Sequence, residues 1–425
     1  MSKIKINFNT LFLTILLLYC YFRSLVLAIL GSVSTIVIFF CIIILLMMNI
    51  INFKGKIYKA IFPSVILWIS FTLLILLHCY NIKISLTSLT TLTTVGGILL
   101  GISYIFNKGK WKLVVINISK KCLKIHIVAT LLFAFVPSVY FNTVFKIYDL
   151  ETQSILKAQM LSSNIPGLTN HYSANGIYMA ISCLLFGTEY FVRSNKNKNK
   201  SRIWFVLSII SLLVTGKRAH LLFSIFALMI IYLKCSDVSV NKKIKHFMVA
   251  VIGASTFFTV LMYFVPALSS TFIRILELFD TDDVTNGRLL FYNYAVMWFK
   301  QKPFLGIGWE GFKYSFYKVH GAYLNEYQFM NVHNVYLQIC CELGLIGEII
   351  FVIRILYDLF FQFKMINWKN SENSESQHIL AFSFSMNILF LLYCFTGNPL
   401  YDAEFFIPYM LIIGAGYNII ENYRY

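Results

Sequence analysis

The stretch "LVLAILGSVSTIVIFFCIIILLMMNI", residues 25–50, contains no charged side chain. A helix of that length, rising about 1.5 Å per residue, outspans the roughly 30 Å hydrocarbon core of a bilayer. Runs of this kind recur along all 425 residues, which are 58% hydrophobic and 13% charged with a mean hydropathy of +0.72. A signal peptide explains one such run at the N-terminus, not a series of them. Within lipid every main-chain polar group must be satisfied internally, and runs this continuous do so as helices. The sequence therefore predicts an all-α polytopic membrane protein with residues 1–425 forming one integral-membrane helical domain.

Twelve transmembrane helices are expected: 8–22, 25–50, 60–80, 84–106, 125–145, 171–192, 203–215, 219–233, 247–267, 334–353, 379–396 and 404–420. The formal charge of +18 is not a nucleic-acid footprint, because the positives sit in short clusters between apolar runs. "KGKIYK" (54–59), "KGKWKLVVINISKKCLK" (108–124), "RSNKNKNKSR" (193–202) and "KCSDVSVNKKIK" (234–245) fall on one side of this topology. Of the 36 Lys and Arg, 24 fall on that side and 12 on the other. The positive-inside rule makes the richer side cytoplasmic and puts both termini there. The nine cysteines avoid the long outer loops and show no zinc-like spacing, so neither a disulfide framework nor a metal site is expected.

Two longer segments belong to the other face. Residues 146–170 read as an amphipathic helix followed by a Pro-Gly turn. Residues 268–333, between spans nine and ten, form a large extracytoplasmic loop. Its stretches "TFIRILELFD" and "GRLLFYNYAVMWF" mix charge with aromatic and aliphatic residues at helical spacing, suiting helices at the interface. With six basic and six acidic residues the loop carries no general field, so an anion site there depends on individual side chains.

Polar groups gather at the predicted outer ends of spans. "TGKRAH" (215–220) puts Lys217 and Arg218 in a tight outer turn, against the charge trend; snorkelling to lipid phosphates is the plain alternative to a binding role. Arg288 opens an amphipathic helix and suits a diphosphate, since a guanidinium offers a rigid fork of donors. "KPFLGIGWEG" (302–311) lacks the lysine offset of a nucleotide loop. In "NVHNVYL", His333 has the chemistry to accept and return a proton, with Asn331 or Asn334 fixing its tautomer or binding a hydroxyl. A capping histidine is the alternative. Glu342 lies nine residues on, too far along a straight helix to pair with His333. His171, Ser173 and Asn175 in "LTNHYSANG", with Asn398, Tyr401 and Asp402 in "TGNPLYDAE", are candidates to line the same cavity. Taken singly, each also suits a cap or a turn.

These residues carry a resemblance. The chain resembles the O-antigen ligase and polysaccharide polymerase superfamily, integral-membrane inverting glycosyltransferases, over most of its length and most specifically between 168 and 350. The matching elements are the basic turn "GKRAH", the Arg288 helix followed by Pro303, Gly306 and Gly308, and "HNVYLQICCELGLIG" from His333 to Gly347. Many relatives have "SRG" where this chain has "GKRA".

The resemblance implies that Arg218 and Arg288, with Lys217 beside them, bind the diphosphate of an undecaprenyl-diphosphate-linked glycan donor. It also implies that His333 is the base for the acceptor hydroxyl. Supporting or glycan-binding positions would be His171, Asn175, Asn331, Asn334, Tyr336, Asn398, Tyr401 and Asp402. No cofactor or metal is expected. The partners expected are the lipid-linked donor, a glycan acceptor, membrane lipids, a repeat-unit flippase and a chain-length regulator, with no nucleic acid. The implied location is the bacterial cytoplasmic membrane.

The expected function is polymerisation of repeat units for capsule, exopolysaccharide or O-antigen. Ligation of a finished glycan to a lipid core or other acceptor is the nearest alternative. A transporter ranks lower, because it predicts ionisable groups near mid-membrane or repeated halves. A purely structural protein leaves the outward cations and His333 without a common task.

Overall fold

A computed structural model of the chain describes residues 7–51, 61–83, 88–107, 109–192, 198–235, 287–320, 330–366 and 374–422, with a few positions between 239 and 245. Apart from turns and loops the described residues are helical, with no strand beyond an isolated bridge between Cys79 and Trp309. In chain order the helices are α1 Phe8–Leu30, α2 Val33–Ile51, α3 Phe62–Leu77, α4 Leu89–Ile105, α5 Trp111–Phe135, α6 Pro137–Asn142, α7 Leu150–Leu161 and α8 Tyr172–Val192. They continue as α9 Lys198–Val214, α10 Arg218–Cys235, α11 Leu289–Gln301, α12 Gly311–His320, α13 Val335–Met365, α14 Ser374–Tyr393 and α15 Ala403–Asn422.

Five of these are long and apolar enough to cross a bilayer (α1, α2, α10, α14 and α15), or six if the bent pair α5–α6 counts as one. Helices α3 and α4 are apolar but shorter. By length and composition the described helices thus account for only part of the twelve expected spans. The expected ninth, 247–267, and the stretch "TFIRILELFD" lie outside the described residues. Helices α1, α2 and α13 leave Ile29, Ile36, Phe40, Ile50, Leu356 and Phe360 exposed, a surface that only lipid covers comfortably. The protein is an integral membrane protein.

Helices α14 and α15 are almost entirely buried, so they form the centre of the bundle. Helix α4 approaches α15 closely where glycines face each other: a Cβ on Gly414 would lie 2.7 Å from the Gly101 carbonyl oxygen. Small residues allow such contact where no hydrophobic effect drives helices together.

Three expected spans are corrected. Residues 25–50 are not one helix, because α1 ends at Leu30, Gly31 takes φ 59°, and α2 begins at Val33. The first helix does not end at residue 22 but continues to Leu30 through a bend at Phe22. Tyr178 Oη donates to the Cys20 carbonyl at 2.6 Å, and His126 Nε2 lies 2.8 Å from that of Tyr21, so the carbonyls at the bend are satisfied from outside the helix. The expected span 125–145 is not one helix either. Helix α5 begins at Trp111, taking in most of the expected basic inner segment, and the chain turns by 110° after Phe135. Pro137 is the cause: it has no N–H and keeps the preceding Val136 out of the helical region, at φ −131° and ψ 73°. The positive charge of α5 is still managed, with Lys120 paired to Glu189 at 2.6 Å.

The feature that positions the functional end is an interlock between two glycine-bearing segments. Helix α13 breaks at Gly344, which adopts φ 64° and ψ −166°. A broken helix leaves carbonyls and amides without intrahelical partners. The segment from Pro303 to Gly308 supplies them. Ile307 and Gly308 N–H donate to the Cys341 and Glu342 carbonyls, both at 2.9 Å. On the other side of the break, Leu345 and Ile346 N–H donate to the Pro303 and Phe304 carbonyls at 2.8 and 3.3 Å. The end of α3 holds the same loop, with Trp309 N–H donating to the His78 carbonyl at 2.8 Å.

Candidate functional site

The segment joining α14 to α15, residues 394–402, gathers the start of α11, the start of α13 and the 303–309 loop. The Cys394 carbonyl accepts from Val335 N–H at 2.8 Å, and the Thr396 carbonyl accepts from Arg288 Nη1 at 2.8 Å. Asn398 holds His333 twice: its Oδ1 accepts from the His333 main-chain N–H at 3.0 Å, and its Nδ2 lies 3.1 Å from His333 Nδ1. Tyr401 Oη donates to Glu342 at 3.1 Å, and its ring stacks on Trp309 with centroids 5.0 Å apart. This arrangement fixes Arg288 and His333 to one platform.

His333 is half-buried and adopts φ 60°, uncommon for a residue with a Cβ. Asn334 then caps α13, its Oδ1 accepting from Leu337 N–H at 3.2 Å. Burial, then the charges of Arg288 and Lys217, push the His333 imidazole down to about 4. Arg288 and Lys217 both lie close enough to His333 to act on its ring electrostatically. Lys217 leads into α10 from the turn after α9, with its ammonium 4.9 Å above the Tyr172 ring. Burial, then Arg288, push its ammonium down to about 8. Two cations held close enough for one to depress the other make a site that gains from binding an anion. Arg218 is the first residue of α10, half-buried, with its N–H donating to the Gly216 carbonyl at 3.2 Å.

The remaining candidates are engaged within the protein. Asn175 is fully buried, accepting from Thr130 Oγ1 at 3.1 Å and donating to the Ile165 carbonyl at 2.9 Å. Asn331 accepts from Gln338 Nε2 at 3.0 Å, and Tyr336 Oη donates to the Leu391 carbonyl at 2.8 Å. His171 Nδ1 accepts from Ser173 N–H at 3.1 Å in the turn entering α8. The Asp402 carbonyl accepts from Phe405 and Phe406 N–H at 3.0 and 2.8 Å, opening α15. Glu342, fully buried, also accepts from Phe312 N–H and Gln338 Nε2, both at 3.2 Å.

The link from Asn398 to His333 spans 65 positions and leaves no trace in local sequence. The only hint was that "TGNPLYDAE" joins two spans at the same predicted end. Among the described residues no three His, Cys, Asp or Glu converge as metal ligands.

This arrangement offers an anion two cations and a neighbouring imidazole at one end of a helical bundle. Residues 203–352 match a family model described as O-Antigen ligase, and the matched segment contains Lys217, Arg218, Arg288 and His333. Asn398 lies outside it. No curated protein sequence matches the chain. The match falls on the segment that carries these groups, and it supports a relationship to the O-antigen ligase and polysaccharide polymerase superfamily.

Proposed function

We propose that the protein is a polymerase of undecaprenyl-diphosphate-linked repeat units, acting at the outer face of the cytoplasmic membrane with both termini inside. The observation that carries this reading is the convergence of Lys217 and Arg288 on His333. Two cations suit the paired charges of a diphosphate, and they offset the charge that grows on it as it departs. Arg218, one residue from Lys217, is the third cation assigned to the donor.

In the reaction, an acceptor sugar hydroxyl attacks the anomeric carbon of the donor while the bond to the diphosphate oxygen breaks. The diphosphate leaves with the electron pair. One displacement of this kind inverts the anomeric centre. The donor lies in the outer leaflet, with its diphosphate at headgroup level where the ends of the helices gather. Ligation to a lipid core or other acceptor uses the same donor chemistry and stands as the second reading.

The test is transfer in isolated membranes from a defined undecaprenyl-diphosphate repeat unit. Arg288→Ala, Lys217→Ala and Arg218→Ala are each expected to lose chain growth while inserting normally. Growth on a second repeat unit identifies a polymerase, and transfer to a lipid core alone identifies a ligase. Full chain growth by Arg288→Ala refutes the assignment of the donor site.

A further inference from the structure

We propose that Asn398 locks His333 with its hydrogen on Nε2, so that His333 serves as a neutral hydrogen-bond donor beside the two cations and does not take the acceptor's proton. The chemical meaning of this rests on the donor site proposed above; the tautomer itself does not.

The argument starts from the Asn398 amide. Its Oδ1 accepts from the main-chain N–H of His333 at 3.0 Å, and a main-chain N–H can only donate. The atom 3.1 Å from His333 Nδ1 is therefore the NH2 nitrogen, which also only donates. Turning the amide over sets two donors against each other at the main chain and strands a half-buried N–H. Nδ1 must then accept with its lone pair, and in a neutral ring the single hydrogen sits on Nε2.

The ring is neutral because burial and the charges of Arg288 and Lys217 hold it down to about 4. The backbone supports the same geometry. His333 keeps its left-handed conformation because Asn398 holds it, while Val335 N–H and the Asn334 cap hold the next turn of chain. Strain of this kind persists where the surroundings over-determine it.

A base acting through Nε2 needs the reverse arrangement, with a hydrogen on Nδ1 facing an acceptor. Asn398 presents a donor there. What His333 offers a diphosphate between Arg288 and Lys217 is a third hydrogen bond without a third positive charge. As the acceptor oxygen bonds to the anomeric carbon and the diphosphate departs with its electron pair, the acceptor's proton passes to solvent water. Asn398 is thus a positioning residue, acting through His333.

The test is 15N NMR of the full-length protein in lipid nanodiscs with histidine side chains labelled, His333→Gln identifying the His333 signals by their loss. The expected wild-type result at neutral pH is an unprotonated Nδ1 and a protonated Nε2. Asn398→Asp, which offers acceptors to both the main chain and the ring, is expected to move the hydrogen to Nδ1. A wild-type His333 carrying its hydrogen on Nδ1 overturns the proposal.

Transfer assays read the role. His333→Gln keeps an N–H donor and is expected to exceed His333→Ala by about 10-fold or more, the scale of one hydrogen bond to a charged group. Equal losses of about 10²- to 10⁴-fold in both variants would restore the general base. Absence of transfer by the wild type would refute the donor site and leave the tautomer measurement standing.

Discussion

Gly344→Ala tests whether the interlock at the break in α13 is as tight as its geometry requires. Two separate penalties act at this position. Gly344 occupies φ 64° and ψ −166°, a region essentially reserved for glycine, and forcing a side chain there costs about 1–3 kcal/mol. A Cβ would also lie 2.3 Å from the Phe304 carbonyl carbon and oxygen, which are main-chain atoms that cannot rotate away. Overpacking of this kind costs about 1–3 kcal/mol more. Relief requires withdrawing the 303–308 segment, which breaks the hydrogen bonds spanning the break.

Gly287→Ala is the matched control, since Gly287 has φ 77° but nothing within 4 Å of its would-be Cβ. Only the conformational cost applies there, about 1–2 kcal/mol. The assay is unfolding in mixed micelles followed by tryptophan fluorescence, with Trp309 in the interlocked loop as a local reporter. Gly344→Ala is expected to lose about 1–3 kcal/mol more stability than the control. Equal losses in the two variants would refute the interlock as the element holding the two glycine segments together.

Lys217 carries a pH prediction. Its ammonium is pushed from 10.5 down to about 8 in the folded protein, so between about 8 and 10.5 the unfolded chain binds more protons and stability rises with pH. Donor binding has the opposite dependence, because a diphosphate requires the charged form. The KM for donor should climb as pH passes about 8, and Lys217→Arg should flatten that climb; a wild-type KM constant across this range refutes the role. Buried Arg354 pairs with Asp358 on α13 and stacks 3.8 Å above the Trp68 ring. Arg354→Met strands the carboxylate and should cost about 3–5 kcal/mol in the same unfolding assay, with Arg354→Met/Asp358→Leu recovering part of it. Asn175→Leu removes two buried hydrogen bonds and should lower stability by about 1–3 kcal/mol while leaving the KM for donor unchanged in membranes that retain the protein.

The candidate site was legible to different depths at different residues. Arg288 and His333 stood out because charge or an imidazole beside an apolar span is expensive unless something uses it. Lys217 and Arg218 were legible as a pair, and it is the fold that sets Lys217 within reach of both Arg288 and His333. For Asn331 or Asn334 as the partner of His333, proximity in sequence misled: Asn334 caps α13 and Asn331 accepts from Gln338. Asn175 and Tyr401 resemble ligands in sequence because an amide or phenol at a span end suits a sugar hydroxyl. In the folded chain their polar atoms are engaged by Ile165, Thr130 and Glu342. The predicted straight span over 125–145 failed because an apolar window averages over Pro137, whereas the backbone responds to that one residue.

By itself the sequence determined that this chain lives in a bilayer as helices, since no other arrangement satisfies so many apolar residues and their main-chain polar groups at once. It also marked the positions where glycine, arginine and histidine are too costly to be incidental. Tertiary structure alone decided which of them meet. The "PFLGIG" and "ELGLIG" segments close on each other because a helix broken at Gly344 exposes carbonyls and amides that only an inserted loop can satisfy. Asn398 meets His333 because α13 begins beside the end of α14, so a contact across 65 residues is set by packing and not by pattern.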